Sequence, residues 1–264
     1  MDGIALEARG VDFSYYDGPV LEGIDLQLGR GELVGLIGPN GAGKTTLLKV
    51  LSGLLPPRRG SVWLEGKDLR RFSRRQVAQR IAVVPQEMNT PFSFTAWEVV
   101  MLGRTPHVRP LLGAGAHDRA VVEEKMALTA TLELASRPFN ELSGGEQQRV
   151  IIAMALAQEA GILLLDEPTV HLDISHQVEV LELIRQLNRR QGITVLAIIH
   201  DLNLASLYFD RLLLLNDGRF VANGPPEEVL REERIRQVFR TAVQVQQHPT
   251  RRTPQVIILP LLAA

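Results

Sequence analysis

The chain has 264 residues, which is long enough to bury the core of one large α/β domain or of two small domains. Its 29 basic and 30 acidic residues give a formal net charge of −1 and are spread along the sequence, so composition does not predict a nucleic-acid-binding surface. The chain contains no cysteine, which excludes disulfides, thiolate metal sites and a cysteine nucleophile and is typical of the reducing cytosol.

The sequence carries no pattern of a secretory signal or of a membrane span. Residues 1–11 include acidic residues and lack a basic segment followed by an apolar one. The longest apolar stretches, 193–199 and 256–264, are much shorter than the roughly 20 residues that cross a bilayer. We therefore expect the chain to stay in the cytoplasm and to reach a membrane only through another protein.

Short apolar runs alternate with longer amphipathic stretches, a pattern that indicates parallel strands joined by helices. Segments 5–28 and 61–64 alternate between apolar and polar residues, which predicts an antiparallel sheet beside that core. The nearly continuous apolar runs, which predict strands covered on both faces, are 33–37, 81–84, 162–165 and 194–199.

From about residue 95 to residue 158, helical periodicity replaces the strand pattern, and we interpret this region as an inserted helical subdomain. Runs 211–215 and 219–222 flank an Asn-Asp-Gly turn and predict a hairpin. Segments 243–247 and 256–259 predict two short strands. The predicted organisation is a single α/β domain over 1–264, with a core of 1–90 and 160–240, a helical subdomain of about 91–158 and a C-terminal extension of 241–264.

A glycine-rich segment joins the apolar run 33–37 to a predicted helix at 46–55. Its glycines let backbone N–H groups surround phosphates, and the start of the helix adds positive potential. Lys44 can reach the β- and γ-phosphates, and Thr45 can coordinate Mg²⁺. The spacing predicts an ATP-binding phosphate loop that consists of Gly38, Pro39, Asn40, Gly41, Ala42, Gly43, Lys44, Thr45 and Thr46.

Two adjacent carboxylates, Asp166 and Glu167, follow the apolar run 162–165. We expect this strand to deliver Asp166 beside the phosphate loop, where it can hold Mg²⁺, often through water. Glu167 can then face the attacking water as a general base or polarise it. These positions predict the hydrolytic part of the site.

A second anion-binding segment is predicted at Leu142-Ser143-Gly144-Gly145-Glu146. Ser143 can cap the apolar helix that follows, and Gly144 and Gly145 expose the N-terminal amides of that helix. One chain therefore carries two helix starts that suit phosphate.

The phosphate loop, the Ser-Gly-Gly signature, the Asp-Glu strand and the downstream His200 occur in the order of the ABC ATPase family, which the chain resembles from about residue 6 to its C-terminus. The resemblance implies a P-loop NTPase fold with a RecA-like parallel core, an antiparallel β-subdomain and an inserted α-helical subdomain. It also implies ATP and Mg²⁺ as ligands.

The resemblance further implies roles for single residues. Tyr15 matches the aromatic residue that stacks on adenine, with the neighbouring Tyr16 as an alternative. Gln86 matches a loop glutamine that senses Mg²⁺ and couples to the membrane partner, and Asp173 lies in the loop that crosses the dimer interface. His200 matches the switch histidine that contacts the γ-phosphate.

In the family, the signature of one subunit closes over ATP held by the phosphate loop of the other. One loop and one signature therefore imply a head-to-tail homodimer around two ATP molecules, which opens when hydrolysis removes the γ-phosphate contacts. Glu146 stands where the signature more often has glutamine. Because the family's contacts come mainly from the serine and the glycine backbone, we expect function to survive this difference.

Segment 93–107 looks like that of ATPase subunits serving iron-siderophore, haem and cobalamin importers, in which Leu-Gly-Arg is followed shortly by Pro-His. This resemblance implies transmembrane permease subunits as partners and, indirectly, a periplasmic or extracellular substrate-binding protein. The chain would then act at the cytoplasmic face of the inner membrane, without nucleic acid. Side chains that could line a groove for a permease helix, or form the subdomain's own core, are Phe92, Phe94, Trp97 and Met101.

Two other functions stay open from the sequence. The first is the ATPase subunit of another ABC transporter class, such as an exporter with separate membrane subunits. The second is a soluble ABC ATPase that acts on DNA or the ribosome, although the chain has neither a long coiled-coil insertion nor a second cassette. The Leu102-Gly103-Arg104 and Pro106-His107 match favours the importer.

Overall fold

The computed structural model of the chain forms two compact units, which are described separately. Unit 1 comprises residues 1–70 and 194–264, and unit 2 comprises residues 71–193. The predicted division into core, helical subdomain and C-terminal extension stays a prediction. The parts of the chain that the structure describes are residues 3–16, 18–86, 88, 93–108 and 113–260.

The described residues contain both strands and helices, and no helix among them is long and apolar enough to cross a membrane. The strands are β1 (Ile4–Tyr15), β2 (Gly18–Gly29), β3 (Leu33–Ile37), β4 (Arg59–Leu64), β5 (Lys67–Asp68), β6 (Ile81–Val84), β7 (Ile162–Leu165), β8 (Thr194–Ile198), β9 (Arg211–Asn216), β10 (Arg219–Gly224), β11 (Val243–Gln247) and β12 (Pro254–Ile258). The helices are α1 (Lys44–Leu51), α2 (Arg74–Ala78), α3 (Ala96–Leu102), α4 (Ala116–Leu128), α5 (Gly144–Ala157), α6 (Ile174–Gln191), α7 (Leu202–Tyr208), α8 (Pro226–Val229) and α9 (Glu232–Phe239).

Unit 1 contains an antiparallel sheet in the order β2-β1-β4-β5. Along β2, Ile24, Leu26 and Leu28 are buried and the residues between them are exposed. This alternation is expected of an antiparallel sheet with one face on the core. The antiparallel sheet predicted from segments 5–28 and 61–64 is therefore confirmed.

The parallel strands of unit 1 are covered on both faces. β3 pairs in parallel with β8 and with β9, and all residues of β3 and β8 are buried. β8 ends at Ile198, one residue before the predicted end, although the N–H of Ile199 still donates to the carbonyl of Leu36 at 3.0 Å. The segments that follow β3 and β8 consequently leave the sheet at the same edge.

Helix α1 covers Lys44 to Leu51, so the predicted bounds of 46–55 were wrong at both ends. Gly53 has φ 75°, the left-handed conformation that terminates helices, and its N–H donates to the carbonyl of Val50 at 3.1 Å. The helix buries its apolar side through Leu47, Leu48, Val50 and Leu51. This packing holds the start of α1 directly after the glycine-rich loop.

Two hairpins follow in unit 1. β9 and β10 pair across Asp217 (φ 46°) and Gly218 (φ 73°), which confirms the predicted hairpin and its turn. β11 and β12 pair with Gln247 opposite Pro254, so β12 begins two residues earlier than predicted. The second hairpin is tied to α7, because the hydroxyl of Ser206 donates to the carbonyl of Pro254 at 2.7 Å.

Unit 2 combines a parallel strand pair with a group of helices. β6 and β7 pair in parallel, with Val84 opposite Leu165. The described residues between 93 and 158 form α3, α4, α5 and 3₁₀ turns, as helical periodicity predicts. α3 ends very close to α5, since a Cβ on Gly103 would lie 2.0 Å from the carbonyl oxygen of Met154.

A fully buried arginine joins the helices of unit 2. Arg104 is 1% exposed, and its Nε donates to Asp118 at 3.0 Å. Its Nη1 donates to the carboxylate of Glu159 and to the carbonyl of Ala157, both at 2.6 Å. The guanidinium therefore ties the end of α3 to the first turn of α4 and to the C-terminal end of α5.

Candidate functional site

The glycine-rich loop of unit 1 has a backbone that glycine alone adopts without strain at two points. Gly38 has φ 151°, and a Cβ there would lie 2.1 Å from the carbonyl oxygen of Leu215. Gly43 has φ 99° at the N-cap of α1, and a Cβ there would lie 2.9 Å from the carbonyl oxygen of Val20. The loop therefore lies against β9 and β2 and presents the N-terminal amides of α1, an arrangement that suits phosphate.

Lys44 is held inside this loop. It is 5% exposed, and its Nζ donates to the carbonyls of Gly38 at 2.8 Å and Pro39 at 2.9 Å. An ammonium group close to the N-terminal amides of a helix concentrates positive potential at one point. Thr45 and Thr46 are the next residues of α1. The predicted phosphate loop is therefore built as its sequence requires, and its ligand stays a prediction.

Two further predicted residues lie in unit 1. The Tyr15 ring is 44% exposed and meets the Phe13 ring edge-on at 4.9 Å between centroids, whereas Tyr16 is fully exposed. The Tyr15 ring thus packs against a second aromatic ring, which favours Tyr15 over Tyr16 as the stacking residue. His200 is exposed just beyond β8. Asp201 after it caps α7 by accepting from the backbone N–H of Asn203 at 2.7 Å and of Leu204 at 3.0 Å.

In unit 2, Asp166 and Glu167 follow β7. The N–H of Asp166 donates to the carbonyl of Val84 at 2.9 Å, and its side chain is nearly buried. Glu167 is half-buried and has φ 54°, a left-handed conformation that is uncommon for residues other than glycine. Such conformations cluster at functional sites, where the surrounding structure holds them. The sequence could not have shown this feature of Glu167.

Gln86 leaves the sheet at the same edge as these carboxylates. It follows β6 after Pro85, and β6 is the parallel neighbour of β7. Gln86 is exposed. Within unit 2, the structure therefore brings Gln86, Asp166 and Glu167 to the carboxyl ends of two adjacent strands.

The predicted signature of unit 2 forms a reciprocal cap at the start of α5. The Ser143 hydroxyl accepts from the N–H of Glu146 at 3.4 Å and donates to Glu146 Oε2 at 2.9 Å. Oε2 also accepts the N–H of Ser143 at 2.8 Å. These hydrogen bonds, from the Ser143 backbone first and its hydroxyl second, lower the pKa of Glu146. The predicted helix cap is confirmed, and Glu146 is a carboxylate at neutral pH.

Asp173 caps α6 in the same unit. Its Oδ1 accepts from the N–H of His176 at 2.9 Å, from the Ser175 hydroxyl at 2.9 Å and from His176 Nδ1 at 2.7 Å. These hydrogen bonds lower the pKa of Asp173, with the backbone of His176 as the largest cause. Sequence reasoning did not select His176. The available signal was a histidine three residues after a helix-capping aspartate.

The predicted Mg²⁺ ligands have the right chemistry for that ion. Thr45, Gln86 and Asp166 offer hydroxyl, amide and carboxylate oxygens, and Mg²⁺ prefers hard oxygen ligands with few carboxylates plus phosphate. Within the described residues, no group of three or more His, Cys, Asp and Glu side chains is arranged to hold a metal. The donor set fits Mg²⁺ bound together with a nucleotide.

A cavity of about 700 Å³ lies elsewhere in unit 1, and none of the predicted site residues lines it. It is an open pocket lined by residues in and beside β1, β2, β4 and β10, and its lining includes both arginines and carboxylates, among them Arg58, Asp12 and Asp25. Asp12 and Asp25 already accept backbone N–H groups of Gly23 at 2.6 Å and Gly10 at 2.8 Å. These carboxylates therefore stabilise the β-sheet through hydrogen bonds to its backbone.

Comparison with known proteins places these features in a family. The family profile described as ABC transporter matches residues 21–170. The chain is 41% identical over 253 residues to the achromobactin transport ATP-binding protein CbrD of Dickeya dadantii, covering 96% of this chain and 94% of CbrD. It is 41% identical over 257 residues to the hemin import ATP-binding protein HmuV of Rhodococcus jostii, covering 97% of this chain and 86% of HmuV.

Another relative is longer than this chain. The ABC transporter ATP-binding protein YvrA of Bacillus subtilis, described as uncharacterized, is 41% identical over 256 residues. The match covers 97% of this chain, which spans only 58% of the length of YvrA.

Solved structures match as well. A metal-chelate type ABC transporter in an inward-facing conformation has a TM-score of 0.87 and 29% identity, with 98% of each chain covered. The dimeric structure of the bacterial ABC transporter cassette MJ0796 has a TM-score of 0.74 and 30% identity, with 83% of this chain and 98% of that chain covered.

Proposed function

Because this chain belongs to the ABC transporter family, we propose that it is the ATP-hydrolysing subunit of an importer that carries a metal chelate through a membrane permease. The observation that carries the proposal is likeness over nearly the whole length of both proteins. CbrD is named for transport of achromobactin and HmuV for import of hemin, and the chain covers 94% and 86% of them. A metal-chelate type transporter is also matched over 98% of both chains.

The residues of unit 1 support ATP binding. Lys44 and the amides at the start of α1 bind the β- and γ-phosphates, Tyr15 stacks on adenine, and His200 donates to the γ-phosphate. When bound, Mg²⁺ neutralises phosphate charge and orients the phosphates for in-line attack. Thr45, Gln86 and Asp166 are its proposed ligands.

Glu167 is the proposed catalytic residue for hydrolysis. Its carboxylate orients the attacking water and accepts a proton from it as the bond from the water oxygen to the γ-phosphorus forms. The bond from the γ-phosphorus to the β–γ bridging oxygen breaks in the same step, with ADP as the leaving group and phosphate as the second product. The left-handed backbone at φ 54° supports this role, because it holds the side chain in a direction that an extended strand end would not give. When the phosphate leaves, the contacts that the γ-phosphate of ATP made are lost.

The proposed functional unit is a head-to-tail homodimer. One chain supplies a phosphate loop and one signature, so two copies make two complete sites. The MJ0796 cassette, a structural neighbour, is described as dimeric. Ser143, Gly144, Gly145, Glu146 and Asp173 would face the ATP of the partner subunit.

The proposed membrane partner contacts the segment around Gln86 and α3. Phe94, Trp97 and Met101 are all half-buried, so each has a surface left for a permease helix. Phe92, also proposed for this groove, lies outside the described residues. The chain would act at the cytoplasmic face of the inner membrane, with a substrate-binding protein delivering the chelate on the other side.

Co-purification of the tagged chain from native membranes, followed by mass spectrometry and uptake assays, tests the importer. We expect recovery of a permease and uptake of a siderophore, haem or cobalamin that stops with Glu167→Gln. Recovery of ribosomes, DNA-repair proteins or an exporter permease would contradict the importer and leave the ATPase activity standing.

Lys44→Ala tests the nucleotide site separately. Removing the ammonium from the loop should abolish ATP binding, measured by calorimetry on the isolated chain. Lys49→Ala is the control, since Lys49 is exposed on the same helix. Unchanged ATP affinity of Lys44→Ala would contradict the phosphate loop assignment.

A further inference from the structure

His176 touches both segments of unit 2 that are proposed to face the partner's ATP. Its ring Nδ1 lies 2.7 Å from Asp173 Oδ1. The same ring lies over Gly145, where an added Cβ would be 2.5 Å from Cδ2 and 2.8 Å from Cγ of the histidine. One side chain therefore connects the capped start of α6 to the start of α5.

The contact with His176 explains why residue 145 is a glycine. Gly145 is helical and buried and does not have the left-handed φ that favours glycine. Glycine in a helix is less favourable than alanine, so a separate reason is needed. The ring supplies it, because real Cβ atoms essentially never approach another heavy atom within 3.0 Å. At Gly144, in contrast, a Cβ would make an ordinary contact of 3.5 Å with Leu172.

The contact with Asp173 fixes the orientation of the ring. Oδ1 accepts from the backbone and the ring of His176 and from the Ser175 hydroxyl, all between 2.7 and 2.9 Å. The pKa of Asp173 is lowered by these donors, so the acceptor is a carboxylate at neutral pH. A ring bonded to that carboxylate cannot turn away from Gly145 without breaking the hydrogen bond.

We propose that His176 is a positioning residue that holds the Asp173 loop and the Ser143–Gly145 start of α5 in one fixed arrangement, so that both meet the partner's ATP together. The inference rests on the proposed function. His176 acts through Asp173 and Gly145 and does not touch ATP.

A double-mutant cycle on thermal unfolding tests the contact, and it needs no ATP. Gly145→Ala should lower the Tm by at least about 3 °C, because the new methyl group overlaps the ring. In a His176→Ala background the same change should lower the Tm little or not at all, because the ring no longer occupies the space over residue 145. Gly144→Ala is the matched control and should leave the Tm nearly unchanged. An equal fall of the Tm in both backgrounds would overturn the inference.

Steady-state ATP hydrolysis, measured well below the Tm, tests the role. His176→Ala should lower kcat at least about tenfold, since displacement of a reacting group by about 1 Å can cost a hundredfold. Its ATP affinity in equilibrium binding should stay within about twofold, because Lys44 is untouched.

His176→Asn keeps a side-chain N–H donor for Asp173 and should recover most of kcat. His117→Ala is the control, since His117 is exposed on α4, and it should change neither kcat nor ATP affinity. A folded His176→Ala chain with wild-type kcat would overturn the inference. An inactive wild-type chain would contradict the proposed function, and the role of His176 with it, whatever the unfolding cycle gives.

Discussion

Two glutamates of unit 2 make the same capping arrangement at different helices. Glu146 Oε2 accepts the N–H of Ser143 at 2.8 Å and its hydroxyl at 2.9 Å. Glu98 Oε2 accepts the N–H and hydroxyl of Thr95 at the same two distances. A hydroxyl has a single proton, so Ser143 must release the Glu146 carboxylate before it donates to a phosphate. Under the proposed function, Glu146 therefore opposes ATP binding at the signature while it stabilises the helix.

Glu146→Gln should separate the effect of Glu146 on ATP binding from its effect on helix stability. The neutral amide accepts more weakly from the Ser143 hydroxyl and does not repel phosphate, so ATP-driven dimer formation should need about threefold less ATP. The loss of negative charge from the first turn of α5 should lower the free energy of unfolding by about 0.5 kcal/mol. Dimer formation is measured by size exclusion in a Glu167→Gln background, with Glu98→Gln as the matched control. A raised or unchanged ATP requirement would contradict this account.

Residues whose roles depend on local spacing could be predicted, and residues whose roles depend on packing could not. The loop around Lys44 and the cap at Ser143 follow from motifs a few residues long. The left-handed backbone of Glu167 and the ring of His176 over Gly145 depend on neighbours that the sequence pattern does not name.

At the scale of elements, Arg104 holds the ends of three helices of unit 2 together. Replacing it by alanine leaves Asp118, which is 14% exposed, and the carbonyl of Ala157 without this donor. The free energy of unfolding should fall by about 3 kcal/mol, measured by urea denaturation. Arg104→Lys should restore only part of it, because one ammonium cannot match the planar fork.

Arg70→Ala is the control for the Arg104 variants, because it removes an exposed ion pair with Asp68. Arg70→Ala should leave the free energy of unfolding nearly unchanged. An Arg104→Ala chain as stable as wild type would contradict the role of Arg104 in joining the three helices.

The Leu-Gly-Arg and Pro-His pattern has a structural basis within unit 2. Gly103 lets α3 approach α5, and His107 Nε2 lies 2.8 Å from the carbonyl of Gln158.

Strand positions followed from apolar periodicity more accurately than helix and hairpin ends did. β3, β6 and β7 have the bounds that their apolar runs predict. The end of α1 depends on the left-handed Gly53, and the start of β12 on pairing with β11, which are effects of conformation and register.

At the scale of the whole molecule, each unit holds only some of the residues proposed to act on ATP. Unit 1 carries the phosphate loop and His200, and unit 2 carries Glu167, the signature and Asp173. Their order along the sequence was enough to predict all of these residues, because the motifs occur in the same order in the family. The single loop and single signature also imply the head-to-tail dimer, but not the contacts between its two copies, since such contacts leave no periodic pattern in one chain.

Glu167→Gln should retain ATP and trap the proposed dimer, because the amide keeps the shape of the side chain and cannot accept the proton of the attacking water. Size exclusion should give twice the monomer mass with ATP and Mg²⁺, and the monomer mass without them. Since ATP binds only the folded chain, the stability should rise with ATP concentration, by about 2.7 kcal/mol at a hundredfold excess over Kd. Adding Lys44→Ala should abolish both effects. A folded Glu167→Gln chain that binds ATP and remains monomeric would contradict the role of Glu167, because the unhydrolysed γ-phosphate would then fail to hold two copies together.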